Sequence, residues 1–283
     1  MSIDCVAVAG AGTMGNGIAH VCALGGFRVV LIDADPGALE RGVATIGRNL
    51  DRQLARDVIT GEERAGALAR IAPSASLDAV KGAGLVIEAV PEIAELKYEI
   101  FAELDRLAPG HAILASNTSS ISITAIAART GRPGQVIGMH FMNPVPVMKL
   151  VEVIRGLRTD DATTNAVMEL SRALGKTPVE VRDFPGFVSN RILAPMINEA
   201  VFALMEGVAE AEAIDTVMKL GMNHPMGPLT LADLIGLDVV LHVLEVLHRE
   251  LGDDRYRPCP LLRQYVAAGW LGRKAGRGFH TYA

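Results

Sequence analysis

A glycine-rich segment, residues 10–15, constrains the fold of this chain more than any other stretch. It reads Gly-Ala-Gly-Thr-Met-Gly and follows a fully apolar run, residues 5–9. Such a run predicts a strand buried on both faces, and residues 16–24 after it have a helical pattern. Glycines in this spacing allow a tight turn, close backbone approach to a pyrophosphate and close strand–helix contact. The segment therefore predicts the start of a doubly wound α/β sheet that binds a dinucleotide.

The next predicted strand, residues 28–32, ends at Asp33. This acid lies about 20 residues beyond the glycine motif, where an acid binds the adenosine ribose in such folds. N–H groups at the start of the intervening helix are expected to hold the phosphates. The acid favours NAD over NADP, because a 2′-phosphate would meet a like charge. The alternative is a glycine-rich turn in an α/β unit without a ligand. The expected NAD contacts here are Gly10, Gly12, Thr13, Met14, Gly15 and Asp33.

Further strands are predicted at residues 84–90 and 112–116, with a helix at residues 94–107 between them. Ligands of doubly wound sheets lie outside the carboxyl ends of the strands. That rule points to the turn at residues 90–92 and to a polar cluster, Ser116-Asn117-Thr118-Ser119-Ser120. A helix N-cap is the alternative for the cluster, although a cap needs only one such residue.

The stretch around His140 presents an imidazole and an acid on two neighbouring strands. An apolar run, residues 135–139, ends at His140, and residues 150–154 form a second apolar run that contains Glu152. A hairpin-like return between them can place the carboxylate beside the imidazole, as in a general base oriented by an acid. The alternative is a buried histidine at a strand end and an acid on an exposed face. Because the first strand belongs to the same sheet, we expect His140 at the ligand-facing edge.

The remaining patterns divide the chain into two domains. A helical pattern at residues 36–69 breaks near residue 60, and a helix at 161–174 and a strand at 177–181 complete the α/β part. Beyond the segment 182–187 only helical patterns follow, at residues 188–205, 210–220, 229–251 and 261–268. We predict an α/β, Rossmann-type N-terminal domain with a mainly parallel sheet, residues 1–183, and an all-α domain, residues 184–283. The basic tail, residues 272–279, is either a frayed terminus or folds back onto an anionic cofactor.

Composition excludes several classes of protein. A formal net charge of −5 argues against nucleic acid as a partner. Cys5, Cys22 and Cys259 have no metal-binding spacing, and an odd number of thiols suits a reducing compartment. The sequence shows no signal-peptide pattern and no run of about 18 apolar residues. We therefore expect a soluble, cytoplasmic protein with no metal site, no membrane segment and no nucleic-acid partner.

The whole chain resembles the L-3-hydroxyacyl-CoA dehydrogenases, most closely their bacterial 3-hydroxybutyryl-CoA branch. The shared motifs are residues 10–15, 116–120, 140–144, 185–191, 226–229, 233–238 and 272–279. The resemblance implies NAD-dependent oxidation of short-chain (S)-3-hydroxyacyl-CoA at C3, most simply the interconversion of 3-hydroxybutyryl-CoA and acetoacetyl-CoA. It also implies a homodimer formed through the helical domain.

The resemblance also implies a role for individual residues. His140 would be the base, Glu152 its orienting partner, and Ser119 and Asn190 would line the acyl and thioester site. The implied NAD contacts are Asp33, Glu92, Lys97, Ser119, Asn143 (facing the nicotinamide) and Lys274. Asn49 and Arg56 stand where the family contacts coenzyme A through Ser and Lys. Arg56 also shares a helix face with Arg48 and Arg52, for which a solvent-exposed basic face is the alternative. His280 replaces an expected Tyr, a change expected to affect packing rather than chemistry.

Two other functions are consistent with parts of this sequence. Related folds oxidise free 3-hydroxy acids such as gulonate, and the substrate alone distinguishes that activity. A non-catalytic dinucleotide-binding protein would bind NAD(H) without turnover. The combination of His140, Glu152 and Asn190 argues against the second alternative.

Overall fold

The structure is a computed structural model that describes residues 3–282. The chain divides into two compact units, the first ending at Asp183 and the second beginning at Phe184. The first unit is built on an eight-stranded sheet. Its strands are β1 (Cys5–Ala9), β2 (Arg28–Ile32), β3 (Ile71–Ser74), β4 (Leu85–Glu88), β5 (Ile113–Ser116), β6 (Val136–Phe141), β7 (Leu150–Arg155) and β8 (Thr177–Arg182). Its helices are α1 (Thr13–Leu24), α2 (Pro36–Leu54), α3 (Gly61–Ala69), α4 (Ala94–Leu107), α5 (Ile123–Ala127) and α6 (Asp161–Ala173).

The strand order is β3-β2-β1-β4-β5-β6-β7-β8. Neighbouring strands pair in parallel, except that β6 and β7 are antiparallel. The chain proceeds outward from β1 to β3 and then returns to β4 on the other side of β1. The carboxyl ends of β1 and β4 therefore form the switch point at which such sheets bind ligands. The predicted Rossmann-type unit with a mainly parallel sheet is confirmed.

The apolar runs form strands because the sheet is covered on both faces. Every residue of β1 is buried, as are those of β4, β5 and β6. Helix α2 buries Ile46 and Leu50 completely against this core. Asp35 caps the helix by accepting a hydrogen bond from the Gly37 amide, and Pro36 occupies the first turn, where its missing N–H costs nothing.

One strand of the sheet has no counterpart among the sequence predictions. Strand β3 lies at the edge, is only partly buried and contains Pro73. An edge strand tolerates proline because its outer side needs no partner. This strand consequently lacks the apolar run that revealed the others.

The second unit is helical, as predicted. It contains α7 (Ser189–Met205), α8 (Ala211–Gly221), α9 (Pro228–Ile235), α10 (Leu237–Leu251) and α11 (Pro260–Ala267). The single helix predicted over residues 229–251 is wrong, because Gly236 adopts φ 106° and separates α9 from α10. Leu229, Leu237 and Leu244 are completely buried in the core of this unit.

The C-terminal tail is held by hydrogen bonds to the buried Asp233. Its carboxylate accepts bonds of 2.9 Å from the amides of Phe279 and His280 and from the Tyr282 hydroxyl. The frayed-terminus interpretation is therefore wrong for the described residues. His280 also does more than pack, since its Nε2 lies 2.9 Å from Asp215 Oδ2.

The remaining exclusions concern the described residues only. Within residues 3–282, no helix has both the length and the apolar character needed to cross a bilayer. In the same range, no three His, Cys, Asp or Glu side chains are grouped as a metal ion would need. Cys5, Cys22 and Cys259 are free and buried.

His20 is the buried titratable group of α1 with the clearest consequence for stability. It is 0% exposed, and its Nε2 lies 3.1 Å from Gln53 Oε1. Burial lowers the pKa of His20 below its ordinary value of 6.5, the bond to Gln53 partly opposes this, and the Lys176 charge adds to the lowering. The unfolded chain therefore binds a proton near pH 6.5 that the folded chain does not. The neutral, buried His20 therefore costs no stability above pH 6.5. The free energy of unfolding falls as the pH falls from there toward the pKa of His20 in the folded chain.

We predict that the free energy of unfolding of the wild type falls more steeply between about pH 7 and 5 than that of His20→Gln. Urea unfolding at a series of pH values measures the two slopes. His111→Gln, at an exposed position, is the matched control and should keep the wild-type slope. Equal slopes for the wild type and His20→Gln would show that His20 does not titrate in this way.

Candidate functional site

The glycine-rich turn crosses the switch point between β1 and β4. Gly10 has φ 106°, and a Cβ there would lie 2.5 Å from the Ala89 carbonyl oxygen. A Cβ at Gly15 would lie 1.7 Å from the Gly10 oxygen, so α1 packs directly on the turn. At Gly12, apart from its two chain neighbours, no described residue has an atom within 4 Å of the Cβ position. Gly10 and Gly15 are thus required by the fold, while Gly12 keeps an open surface beside the first turn of α1.

Asp33 is fixed next to this turn at the carboxyl end of β2. Its Oδ2 accepts a hydrogen bond of 2.8 Å from the Ala11 amide, and its Oδ1 accepts one of 3.0 Å from the Asp35 amide. Each carboxylate oxygen has a second lone pair, so both can still accept a hydroxyl hydrogen. An open glycine turn, the N–H groups of Thr13 and Met14 at a helix start and this acid fit the phosphates and adenosine ribose of NAD.

The polar cluster after β5 is bound to Glu92. The Glu92 Oε1 atom accepts hydrogen bonds from Thr118 Oγ1 at 2.6 Å, from the Ser119 amide at 2.8 Å and from the Ser120 amide at 3.0 Å. The helix-cap interpretation of the cluster is wrong, because Ser122 caps α5. The cluster instead ties the loop after β5 to the turn after β4.

Glu92 is in turn paired with Lys97, on the first turn of α4. Its Oε2 lies 3.3 Å from the Lys97 Nζ atom. Burial raises the pKa of Glu92, but the Lys97 ammonium and the hydrogen bonds from the loop outweigh it and hold the pKa below its ordinary value. Glu92 is therefore a carboxylate at neutral pH.

Lys97 is almost completely buried, at 1% exposure, and has a second acidic partner that the sequence predictions missed. Its Nζ lies 2.6 Å from Oε1 of Glu88, a fully buried residue, and 3.2 Å from the Val90 carbonyl. With Glu92, the ammonium thus has three protein acceptors, and its contact with NAD stays a prediction. An acid inside the apolar run of β4 was the available signal for Glu88.

His140 and Glu152 face each other across the antiparallel pair β6–β7. Their Nδ1 and Oε2 atoms are 2.9 Å apart, and the residues are 7% and 2% exposed. A carboxylate only accepts hydrogen bonds, so Nδ1 donates and the neutral ring has its lone pair on Nε2. The predicted hairpin geometry is observed, and the alternative of an acid on an exposed face is wrong.

Two side chains for which no role in this hairpin was predicted hold it in place. Asn117 Oδ1 accepts a bond of 2.9 Å from the Phe141 amide at the end of β6. Lys176 Nζ donates to the carbonyls of Val145 and Met148 at 2.5 and 2.8 Å and so shapes the turn. Asn143 lies exposed in the same turn, and its contact with the nicotinamide stays a prediction.

The other predicted residues lie on separate elements. Asn49 is half-buried on α2, and Arg56 is exposed just beyond its end, as are Arg48 and Arg52 on the helix itself. In the second unit, Asn190 lies in the first turn of α7, and Lys274 Nζ lies 2.6 Å from Asp238 Oδ1. The predicted contacts of Asn49 and Arg56 with coenzyme A, of Asn190 with the acyl group and of Lys274 with NAD stay predictions.

Two family models together cover nearly the whole chain. One, described as 3-hydroxyacyl-CoA dehydrogenase, NAD binding domain, matches residues 5–184. The other, described as the C-terminal domain of 3-hydroxyacyl-CoA dehydrogenase, matches residues 186–282. The chain belongs to the 3-hydroxyacyl-CoA dehydrogenase family. The predicted family, its NAD cofactor and its class of NAD-dependent dehydrogenase are confirmed.

Individual relatives of this family match over nearly their full length. The chain is 59% identical to a probable 3-hydroxybutyryl-CoA dehydrogenase of Bacillus subtilis, covering 100% of this chain and 98% of the relative. It is 57% identical to a 3-hydroxybutyryl-CoA dehydrogenase of Bradyrhizobium diazoefficiens, covering 98% and 94%. The crystal structure of (S)-3-hydroxybutyryl-CoA dehydrogenase from Ralstonia eutropha matches with a TM-score of 0.97 and 55% identity, over 100% of both chains.

Gly12 and Gly15 should respond differently to the same substitution. Gly12→Ala places a methyl group in the open surface where a phosphate would lie, so NADH affinity should fall about tenfold at an overpacking cost of about 1–3 kcal/mol. Its stability should fall by only about 1 kcal/mol, the usual effect of alanine at an N-cap. Gly15→Ala drives its methyl group into the Gly10 carbonyl and should unfold the protein. NADH fluorescence titration and thermal unfolding measure both; unchanged NADH affinity in Gly12→Ala would contradict this placement of the phosphates.

Proposed function

We propose that this chain interconverts (S)-3-hydroxybutyryl-CoA and acetoacetyl-CoA with NAD as the redox cofactor. The observation that carries the proposal is the bond of 2.9 Å between His140 Nδ1 and Glu152 Oε2, in a chain whose first unit is an NAD-binding domain. Full-length relatives named for this substrate support the short acyl chain.

His140 handles the proton of the reaction. In the oxidative direction, its neutral ring accepts the proton of the C3 hydroxyl at Nε2. In the reductive direction, the imidazolium returns that proton to the C3 oxygen.

Glu152 orients the base and compensates its charge. Its hydrogen bond at Nδ1 fixes the tautomer in which Nε2 carries the lone pair that would accept the substrate proton. Once Nε2 is protonated, the carboxylate stabilises the imidazolium in surroundings where both residues are at most 7% exposed. In hydrolase triads, an acid likewise orients the catalytic histidine and stabilises its charged form.

Bound NAD supplies the hydride acceptor for oxidation and the hydride donor for reduction. The glycine turn and Asp33 would hold its phosphates and adenosine ribose. The other proposed NAD contacts are Glu92, Lys97, Ser119 and Lys274, together with Asn143, which would face the nicotinamide. Ser119 and Asn190 would hold the acyl thioester, and Asn49 and Arg56 the coenzyme A. Arg56 keeps the positive charge of the family's Lys but in a planar, forked group.

The proposal extends to the arrangement of the protein. Residues 1–183 would bind NAD, and residues 184–283 would contribute to the substrate site and form a homodimer in the cytoplasm. Large exposed apolar side chains support a partner for the second unit: Val217 is 61% exposed, Leu220 83% and Met222 60%. Patches of this kind on a protein surface commonly mark protein–protein contacts.

A substrate panel tests the proposed reaction. NADH consumption should show the highest kcat/KM with acetoacetyl-CoA, a lower value with longer 3-ketoacyl-CoA substrates and a much lower value with NADPH as donor. Free acetoacetate is the matched control for the coenzyme A part of the substrate. Turnover of the free acid alone would replace the proposal with a 3-hydroxy acid dehydrogenase.

His140→Ala tests the proposed base. Losing a general base commonly costs about 10²–10⁴ in turnover, so kcat should fall by that factor while NADH binding changes little. Steady-state kinetics and NADH fluorescence titration measure the two quantities. His111→Ala, at an exposed position, should behave as the wild type. Retained turnover in His140→Ala would remove this residue from the mechanism.

A further inference from the structure

Glu88 is a completely buried carboxylate at the carboxyl end of β4, the strand beside the glycine turn. Its Oε1 accepts hydrogen bonds from Lys97 Nζ at 2.6 Å and from the Val90 amide at 2.7 Å. Its Oε2 accepts one of 2.6 Å from the Ser116 hydroxyl at the end of β5. One side chain thus joins the ends of two strands and the start of α4.

Two acids share one ammonium in this cluster. Lys97 Nζ lies 2.6 Å from Glu88 and 3.3 Å from Glu92. Two carboxylates and one ammonium leave a formal charge of one negative, and Glu92 is the more exposed acid, with 30% of its side chain accessible. The Lys97 ammonium is therefore paired mainly with Glu88, the nearer acid. Glu92 keeps a negative charge, and its Oε1 accepts the hydrogen bonds from the loop after β5.

The position of Glu92 matters because it holds the loop that contains Ser119. If Glu88 lost its charge, Lys97 would be attracted to Glu92 alone. The ammonium would then draw Glu92 toward α4 and away from the amides of Ser119 and Ser120, which it now contacts at 2.8 and 3.0 Å. A shift of this loop would alter the ligand-facing edge without any direct contact between Glu88 and a ligand.

We propose that Glu88 is a positioning residue for the NAD site, acting through Lys97 and Glu92. This inference rests on the proposed function, which places Glu92 and Ser119 beside NAD. Glu88 holds Lys97 so that Glu92 remains bonded to the loop after β5, and its bonds to Val90 and Ser116 keep the two strand ends in register.

Stability alone does not account for such a cluster. Replacing a buried ion pair by apolar residues of similar volume is often neutral or stabilising, so a fold does not need the charges. The pair Asp105–Arg132 offers a comparison, because its Oδ1 and Nε atoms are 2.6 Å apart near the start of β6, at the opposite edge of the sheet. A residue that serves only the fold should behave as Asp105 does.

A double-mutant cycle tests the proposal. Glu88→Gln keeps the shape and the acceptor for Val90 but removes the charge, and Lys97→Met removes the ammonium. Each should raise the Kd for NADH about tenfold, within the range of coupling expected for residues in one network. The double variant should be no worse than Lys97→Met, because Glu88 acts through Lys97. In the enzyme assay, the KM for NADH should rise more than the KM for acetoacetyl-CoA.

Asp105→Asn is the matched control. It should keep the wild-type Kd for NADH even if its unfolding temperature falls. A lowered unfolding temperature in Glu88→Gln with unchanged Kd overturns the proposal, and so do effects that multiply in the double variant. If Glu88→Gln does not fold, Ser116→Ala removes the donor to Oε2 and should raise the Kd in the same direction; an unchanged Kd there also overturns it. NADH fluorescence needs no substrate, so failure of the proposed reaction would be seen separately, as wild-type NADH binding without turnover of acetoacetyl-CoA.

Discussion

The pairing of buried charge at the carboxyl edge of the sheet is the constraint on which the candidate site depends. An ion removed from water costs several kcal/mol unless a partner and further hydrogen bonds compensate it. Lys97 meets this requirement with two acids, and the buried Glu152 carboxylate meets it with the hydrogen bond from His140. Each pairing joins two elements that follow one another in the chain, β4 with α4 and β6 with β7. The charged side chains of the candidate site therefore also fix the ends of these strands. Fold and site are held by the same contacts.

The regular elements of the first unit were predictable because a sheet covered on both faces needs apolar strands. Strands β1 and β2 begin and end where they were predicted to. The failures have the same physical origin. Strand β3 is an edge strand that does not need to be apolar, and the break at Gly236 depends on a backbone angle that no hydrophobic period reports.

In the site, the features that depend on short stretches of sequence were predictable and those that depend on long-range contact were not. The glycine turn was predictable from the spacing of its motif. The pairing of His140 with Glu152 was predictable from the hairpin between their strands. Glu88 showed the same signal as Glu152, one acid within an apolar run, but its partner lies on a helix and not on the next strand. Asn117 and Lys176 reach their backbone partners from 24 and 28 residues away, a distance over which sequence patterns say nothing about contact.

The antiparallel pairing of β6 with β7 itself brings the His140 imidazole and the Glu152 carboxylate together. His140 and Glu152 lie directly opposite each other, so their side chains share one face of the sheet. A slip of one residue would move Glu152 to the other face, whereas residues added at the tip of the turn would leave the pair opposed. The strands and the loop of this hairpin are therefore constrained differently. The strands must keep their register to hold His140 opposite Glu152, whereas the length of the loop does not affect that opposition.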